Sequence, residues 1–112
     1  MASGLGRIAV IVNPVAGGGR GLRLLPRVLA SLHEIGDVRR VHVTAAPGEA
    51  TEVAAAAAAD DLDAVLAVGG DGTVNEVANG LVDAAGSVPL GVVAAGRGAD
   101  FVRSLGLPRN AD

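Results

Sequence analysis

The 112-residue chain has no Cys, no Trp, no Tyr and no Lys, and Phe101 is its single aromatic. Without Cys it has no disulfide framework, no thiolate nucleophile and no Cys-based zinc site. Without Lys it lacks the Walker A lysine, the strand lysine of protein kinases and any Schiff-base amine. With one aromatic it has no stacking platform for nucleic-acid bases. All nine basic residues are Arg, against twelve Asp and Glu, and the net charge of -3 gives no phosphate-backbone footprint. A nucleic-acid partner is therefore not expected. Long apolar runs are missing too: Ile8 to Val12 is far too short for a signal or membrane helix. The expected location is the cytoplasm.

What the chain has in quantity is Ala, Val and Gly. Its length fits one domain, large enough to bury a core without staples. Small and β-branched side chains must build that core, which favours close packing of elements. The 17 glycines are about twice average usage and cluster without a collagen-like period, as loop chemistry does.

Strand and helix patterns alternate. Arg7 to Val12 reads as a buried parallel strand, stopped by Asn13-Pro14. A loop at Gly17-Gly18-Gly19 leads into a helix from about Gly21 to Ile35, with Leu22, Leu25, Val28, Leu29, Leu32 and Ile35 on one stripe. Pro26 is compatible with that helix if it lies in the first turn. Val38 to Thr44 alternates as a strand, with Val41 and Val43 on one face. Pro47-Gly48-Glu49 opens a second helix; Glu49 and Glu52 lie near its positive end, and Ala54 to Ala59 form its body. Asp63 to Val68 is a third strand, broken by Gly69-Gly70-Asp71-Gly72. Thr73 to about Ala85 is helical, with Val74, Val77, Ala78, Leu81 and Val82 on one stripe. Pro89 to Ala94 is a fourth strand, and Asp100 to Leu105 a short last helix.

This order predicts an α/β fold: a three-layer open parallel sheet of about four strands with flanking helices, Rossmann- or flavodoxin-like. Ligands in such sheets bind beyond the carboxyl ends of the strands. Residues 13–19, 69–72 and 95–98 are glycine-rich loops at that edge. Backbone N–H groups in such turns, backed by a helix N-terminus, bind anions. Neither the P-loop motif nor the dinucleotide fingerprint is present. Asp71, between glycines, can approach a phosphate, a metal or a hydroxyl without steric shielding. Thr73 and Glu76 are also spaced as a capping box, which accounts for both without a ligand. His33 flanks the apolar stripe of its helix and His42 sits on the polar side of a strand; neither has a partner at a useful spacing.

The block Gly69-Gly70-Asp71-Gly72-Thr73-Val74-Asn75-Glu76-Val77-Ala78-Asn79-Gly80-Leu81 resembles the signature of the diacylglycerol kinase catalytic domain family, which includes bacterial lipid kinases and sphingosine kinases. Asn13-Pro14-Val15-Ala16-Gly17 is similar to that family's first-strand Asn-Pro-x-x-Gly. Leu90 to Ala94 and Asp100 to Pro108 resemble its later strand and helix. The resemblance implies an ATP-binding domain, over residues 1–112, of a kinase that moves the γ-phosphate to a lipid hydroxyl such as that of diacylglycerol. Carried over by match, Asn13, Pro14, Val15, Ala16, Gly17, Thr44, Gly69, Gly70, Asp71, Gly72, Thr73, Val74, Asn75 and position 97 surround the nucleotide. Asp71 matches the acidic residue near the phosphates, a proton acceptor or Mg²⁺ contact.

The resemblance further implies ATP and Mg²⁺ as the small molecules required, and a lipid substrate met at the inner membrane surface. Two departures stand out. Arg97 replaces the third loop's usual Thr, and Ala99 its Asn. The β-rich second domain of the family is also missing, so the isolated chain is expected to bind nucleotide weakly and turn over little unless a second domain or a further copy completes it. An NAD kinase-like enzyme ranks lower, because Asn75-Glu76 directly follows Gly-Gly-Asp-Gly-Thr-Val here. A non-catalytic module that kept the fold is the reading of another class.

Overall fold

A computed structural model describes residues 6–60, 62–83 and 90–94 of the chain. The elements run β1 (Arg7–Val12), α1 (Ala16–Ile35), β2 (Asp37–Val43), α2 (Glu49–Ala58), β3 (Ala64–Gly69), α3 (Asp71–Asp83) and β4 (Leu90–Ala94). All strand pairings are parallel, in the order β2-β1-β3-β4. This is the flavodoxin-like order, in which the strand order reverses between β1 and β3 and opens a crevice there. The expected α/β architecture is thus present. The short helix over residues 100–105 and the loop over 95–98 lie outside the described residues.

The central strands are apolar throughout because helices cover both of their faces. Ile8 to Val12 and the whole of β3 are buried. On one side Ile8, Val10, Val12, Leu66 and Val68 pack against Leu24, Val28 and Leu32 of α1. On the other, Ala9, Ile11, Val65 and Ala67 meet Ala50, Ala54 and Ala57 of α2 and Val77 and Leu81 of α3. The alanine face of α2 lets α3 come very close. A Cβ on Gly80 would lie 2.9 Å from that of Ala54 and would collide with the Thr51 carbonyl. The Thr51 hydroxyl also donates to the Glu76 carbonyl at 2.9 Å.

Several sequence expectations change. Helix α1 reaches back to Ala16, although Gly18 and Gly19 keep positive φ angles of 69° and 99°, so its first turn is irregular. Pro26 therefore lies in the helix interior rather than its first turn. The buried stripe centres on Leu24, Val28 and Leu32, while Leu22 is exposed. An earlier helix start rotates no residue, but the sheet meets the helix along the 24-28-32 ridge, and Leu22 falls on the same outer face as Pro26. Val82 is exposed as well, outside the Val77–Leu81 contact. Val41 and Val43 do share a face, but β2 is an edge strand and leaves that face exposed. A register shift between Ile8 and Ala9 against β2 turns Arg40 and His42 toward α2 instead. Strand β3 ends one residue later than expected, and α3 starts two residues earlier.

Candidate functional site

The carboxyl ends of β1, β2 and β3 open into one pocket of about 290 Å³. That is near the lower end of the usual range for small-molecule sites, about 300–1,000 Å³. Asn13, Pro14 and Val15 line it from the end of β1, and Gly72, Thr73 and Glu76 from α3. The loop after β2 gives Thr44, Ala45, Ala46 and Pro47, and Ala50 follows from the first turn of α2. Helices α1, α2 and α3 all begin around this edge, and each directs the positive end of its dipole toward it.

The crevice is braced from within. The Asn13 backbone N–H donates to the Val68 carbonyl at 3.0 Å, tying the end of β1 to β3. Its side-chain amide donates to the Thr73 hydroxyl at 3.3 Å, and its side-chain oxygen accepts the Val15 N–H at 3.1 Å. One Asn thus shapes the loop after β1 and joins it to the first turn of α3. Pro14 follows Asn13 naturally, since its fixed φ starts a turn and it has no N–H to satisfy. At the next strand, Thr44 donates both its backbone N–H (2.9 Å) and its hydroxyl (3.3 Å) to the Val12 carbonyl.

The Gly69-Gly70-Asp71-Gly72-Thr73 block divides into parts with different duties. Gly69 is buried, and a Cβ there would lie 2.7 Å from that of Thr73, so this glycine lets the helix fold back onto the strand end. Gly70 and Gly72 face open space, and Gly72 lines the pocket. Val74 is the first residue of α3 to donate within the helix, to the Gly70 carbonyl at 3.1 Å. Among the described residues the N–H groups of Asp71, Gly72 and Thr73 have no backbone partner of that kind, the usual source of an anion site.

Thr73 is not the cap of a capping box. Because α3 begins at Asp71, Thr73 is its third residue, buried and bonded to Asn13. Asp71 is exposed in the first turn, next to the pocket-lining Gly72, but is not among the lining residues. Asn75 is exposed and does not line the pocket either, while Val74 packs into the α2–α3 core. Ala16 and Gly17 open α1. Arg97 lies outside the described residues. The structure thus gathers Asn13, Pro14, Val15, Thr44, Gly72 and Thr73 around one cavity.

Two groups were missed from the sequence. Glu76, read there as half of a capping box, lines the pocket. His42, read as partnerless, meets Glu49 with 2.5 Å between its Nε2 and the carboxylate. That hydrogen bond is the main reason the Glu49 carboxyl titrates below its ordinary value, with the Ala45 N–H adding to it. Their seven-residue separation spans a strand end, a turn and a helix start, so no single-element period shows it. Among the described residues no group of three or more His, Asp or Glu is arranged to hold a metal.

The profile of the family described as the diacylglycerol kinase catalytic domain matches residues 7–112. The chain belongs to that family. It is 40% identical over 103 residues to a diacylglycerol kinase of Bacillus subtilis (strain 168), an alignment covering 92% of this chain and 34% of that protein. A diacylglycerol kinase of Staphylococcus aureus (strain MRSA252) is 36% identical over 104 residues, 93% of this chain and 33% of its own length. The crystal structure of a diacylglycerol kinase from Bacillus anthracis str. Sterne superposes with a TM-score of 0.70 at 34% identity, covering 93% of this chain and 39% of that one. The chain therefore spans about a third of the length of the curated relatives it matches.

Proposed function

We propose that this chain forms the ATP-binding part of a lipid kinase, which transfers the γ-phosphate of ATP to the hydroxyl of a lipid such as diacylglycerol. The observation that carries this reading is the pocket at the β1/β3 reversal, where the Asn13–Thr73 bond joins the loop after β1 to the first turn of α3 beside the open Gly72. Family membership supports the phosphate chemistry. Lacking Lys, the chain would hold phosphate with backbone N–H groups and helix ends rather than with an ammonium.

Phosphoryl transfer asks mostly for positioning and charge stabilisation. In this reading Gly72 and Thr73 approach the phosphates, and Thr44 and Pro14 bound the rest of the nucleotide. Mg²⁺ is commonly held by one or two carboxylates plus substrate phosphates. Asp71 is the carboxylate offered for that purpose, and the bound ion would supply positive charge opposite the phosphate oxygens. No helix among the described residues is long and apolar enough to cross a membrane.

Calorimetric titration with Mg·ATP is the test. The wild-type chain should bind it weakly, and Thr73→Val, which removes the acceptor of the Asn13 amide, should weaken it further by roughly fivefold, near 1 kcal/mol. Asp71→Asn should leave ATP binding largely intact while reducing its dependence on Mg²⁺. No detectable binding at millimolar ATP would overturn the assignment.

A further inference from the structure

The loop between β2 and α2 forms one wall of the pocket, yet beyond Thr44 its own side chains offer little to hold it. Ala45 and Ala46 are exposed, and neither carries a side-chain polar group. The Glu49 side chain reaches back over this loop from the first turn of α2. Its Oε1 accepts the Ala45 N–H at 2.6 Å and the Ala46 N–H at 3.1 Å, while Oε2 meets His42 Nε2 at 2.5 Å. The Glu49 N–H donates in turn to the Ala46 carbonyl at 3.2 Å. Both carboxylate oxygens are thus engaged. Glu49 does not line the pocket, although Pro47 and Ala50 on either side of it do.

We propose that Glu49 is a positioning residue for the nucleotide pocket: by bridging His42 to the Ala45 and Ala46 amides, it fixes the wall that the loop after β2 presents to the ligand. This rests on the nucleotide reading of the pocket. Gly48 contributes to the same geometry, because its left-handed φ of 86° turns the chain so that the first turn of α2 faces the loop. The bridge also occupies the carboxylate with three donors beside a site meant for phosphate, where an unengaged negative charge would oppose binding. A loop fixed before the ligand arrives removes an ordering cost from association.

The test combines Mg·ATP titration of the full chain with amide NMR of Ala45 and Ala46 in the ligand-free protein. Glu49→Ala should weaken Mg·ATP about tenfold, equivalent to about 1.4 kcal/mol. It should also shift the Ala45 and Ala46 amide protons upfield while leaving those of β1 and β3 in place. Glu49→Gln retains an acceptor for both amides and should stay within about threefold of wild type, a rescue that a general loss of stability would not produce. If Glu49→Ala does not fold, Glu49→Asp, one methylene short of the loop, replaces it with the same expected direction. Wild-type affinity in the Ala or Asp variant overturns the proposal. Absence of binding by the wild-type chain overturns the nucleotide reading instead; the bridge is then decided by the amide signals, and unshifted Ala45 and Ala46 overturn it.

Discussion

The two edges of the sheet are built from similar residues and to different ends. At the amino edge Arg7, Asp63, Gly6 and Asp37 are engaged with one another across the fold. Asp63 accepts the Arg7 backbone N–H at 2.8 Å and its Nε–H at 3.3 Å, and the Asp63 N–H returns to the Arg7 carbonyl at 2.8 Å. The Asp37 N–H donates to the Gly6 carbonyl at 2.7 Å, and Gly36 is pressed between that carbonyl and Ile8. At the carboxyl edge, Asn13 and Thr44 tie the strand ends together, and then the loops part to leave the pocket. Glycine shows the contrast most directly. Gly36 has no room for a methyl group, whereas nothing lies within 4 Å of a Cβ on Gly72. A glycine crowded by its neighbours serves the fold; an uncrowded one beside a cavity serves whatever enters the cavity.

The sharpest way to break this comparison is to add a side chain at each edge. Gly36→Val should give the larger effect. Its backbone is extended, so the cost is one of space: the new Cβ would lie 2.9 Å from the Gly6 carbonyl oxygen and against the fully buried Ile8. Overpacking of this kind costs about 1–3 kcal/mol, a drop in melting temperature of roughly 4–8 °C per kcal/mol for a domain of this size. Thermal unfolding followed by circular dichroism measures it. Mg·ATP affinity, measured well below the transition, should be unchanged.

Gly72→Ala should do the reverse. Residue 72 is in right-handed helix with open space around it, so Ala should raise stability by up to about 1 kcal/mol. The same methyl group is added to a residue that lines the pocket, where phosphate is proposed to approach the helix N-terminus, and Mg·ATP affinity should fall roughly tenfold or more. A variant that is both destabilised and still binds ATP normally would reverse the roles assigned to the two edges.

How far these roles were readable beforehand follows from where each signal resides. The buried strands β1 and β3 were legible because helices on both faces make them apolar at every position, and sharp glycine breaks end them. Strand β2 alternates as an edge strand, and its pattern did not tell which half would face α2; the shift at Ile8/Ala9 decided that. The loops that gather at the pocket were legible through Asn13-Pro14 and the glycine block, since strand ends in a parallel sheet share one edge. The duties within that block were not. Thr73 and Glu76 fit a local capping rule, and only the position of Asn13, 60 residues earlier, turns Thr73 into a link across the crevice. Glu49 fitted the helix-dipole rule equally well, and its bridge to His42 depends on the turn at Gly48.

The smallest expected effect concerns acid, and it probes both edges by charge rather than by space. The Arg7 backbone N–H, and then the Arg7 side chain, hold the Asp63 carboxyl below its ordinary value. A carboxyl that is more acidic in the folded chain than in the unfolded one contributes stability above the unfolded value, and loses it as pH falls through the folded value. Wild-type melting temperature should therefore decline between about pH 5 and pH 3, with Asp63 contributing to the slope. Asp63→Asn should lower the melting temperature slightly at neutral pH and flatten the decline in acid, and should leave Mg·ATP affinity unaltered. Glu49, held low by His42 at the opposite edge, titrates in the same direction, so Glu49→Gln should flatten the decline as well. If Asp63→Asn leaves the acid decline unchanged, the amino edge owes nothing to this charge, and its closure rests on backbone hydrogen bonds and the fit at Gly36.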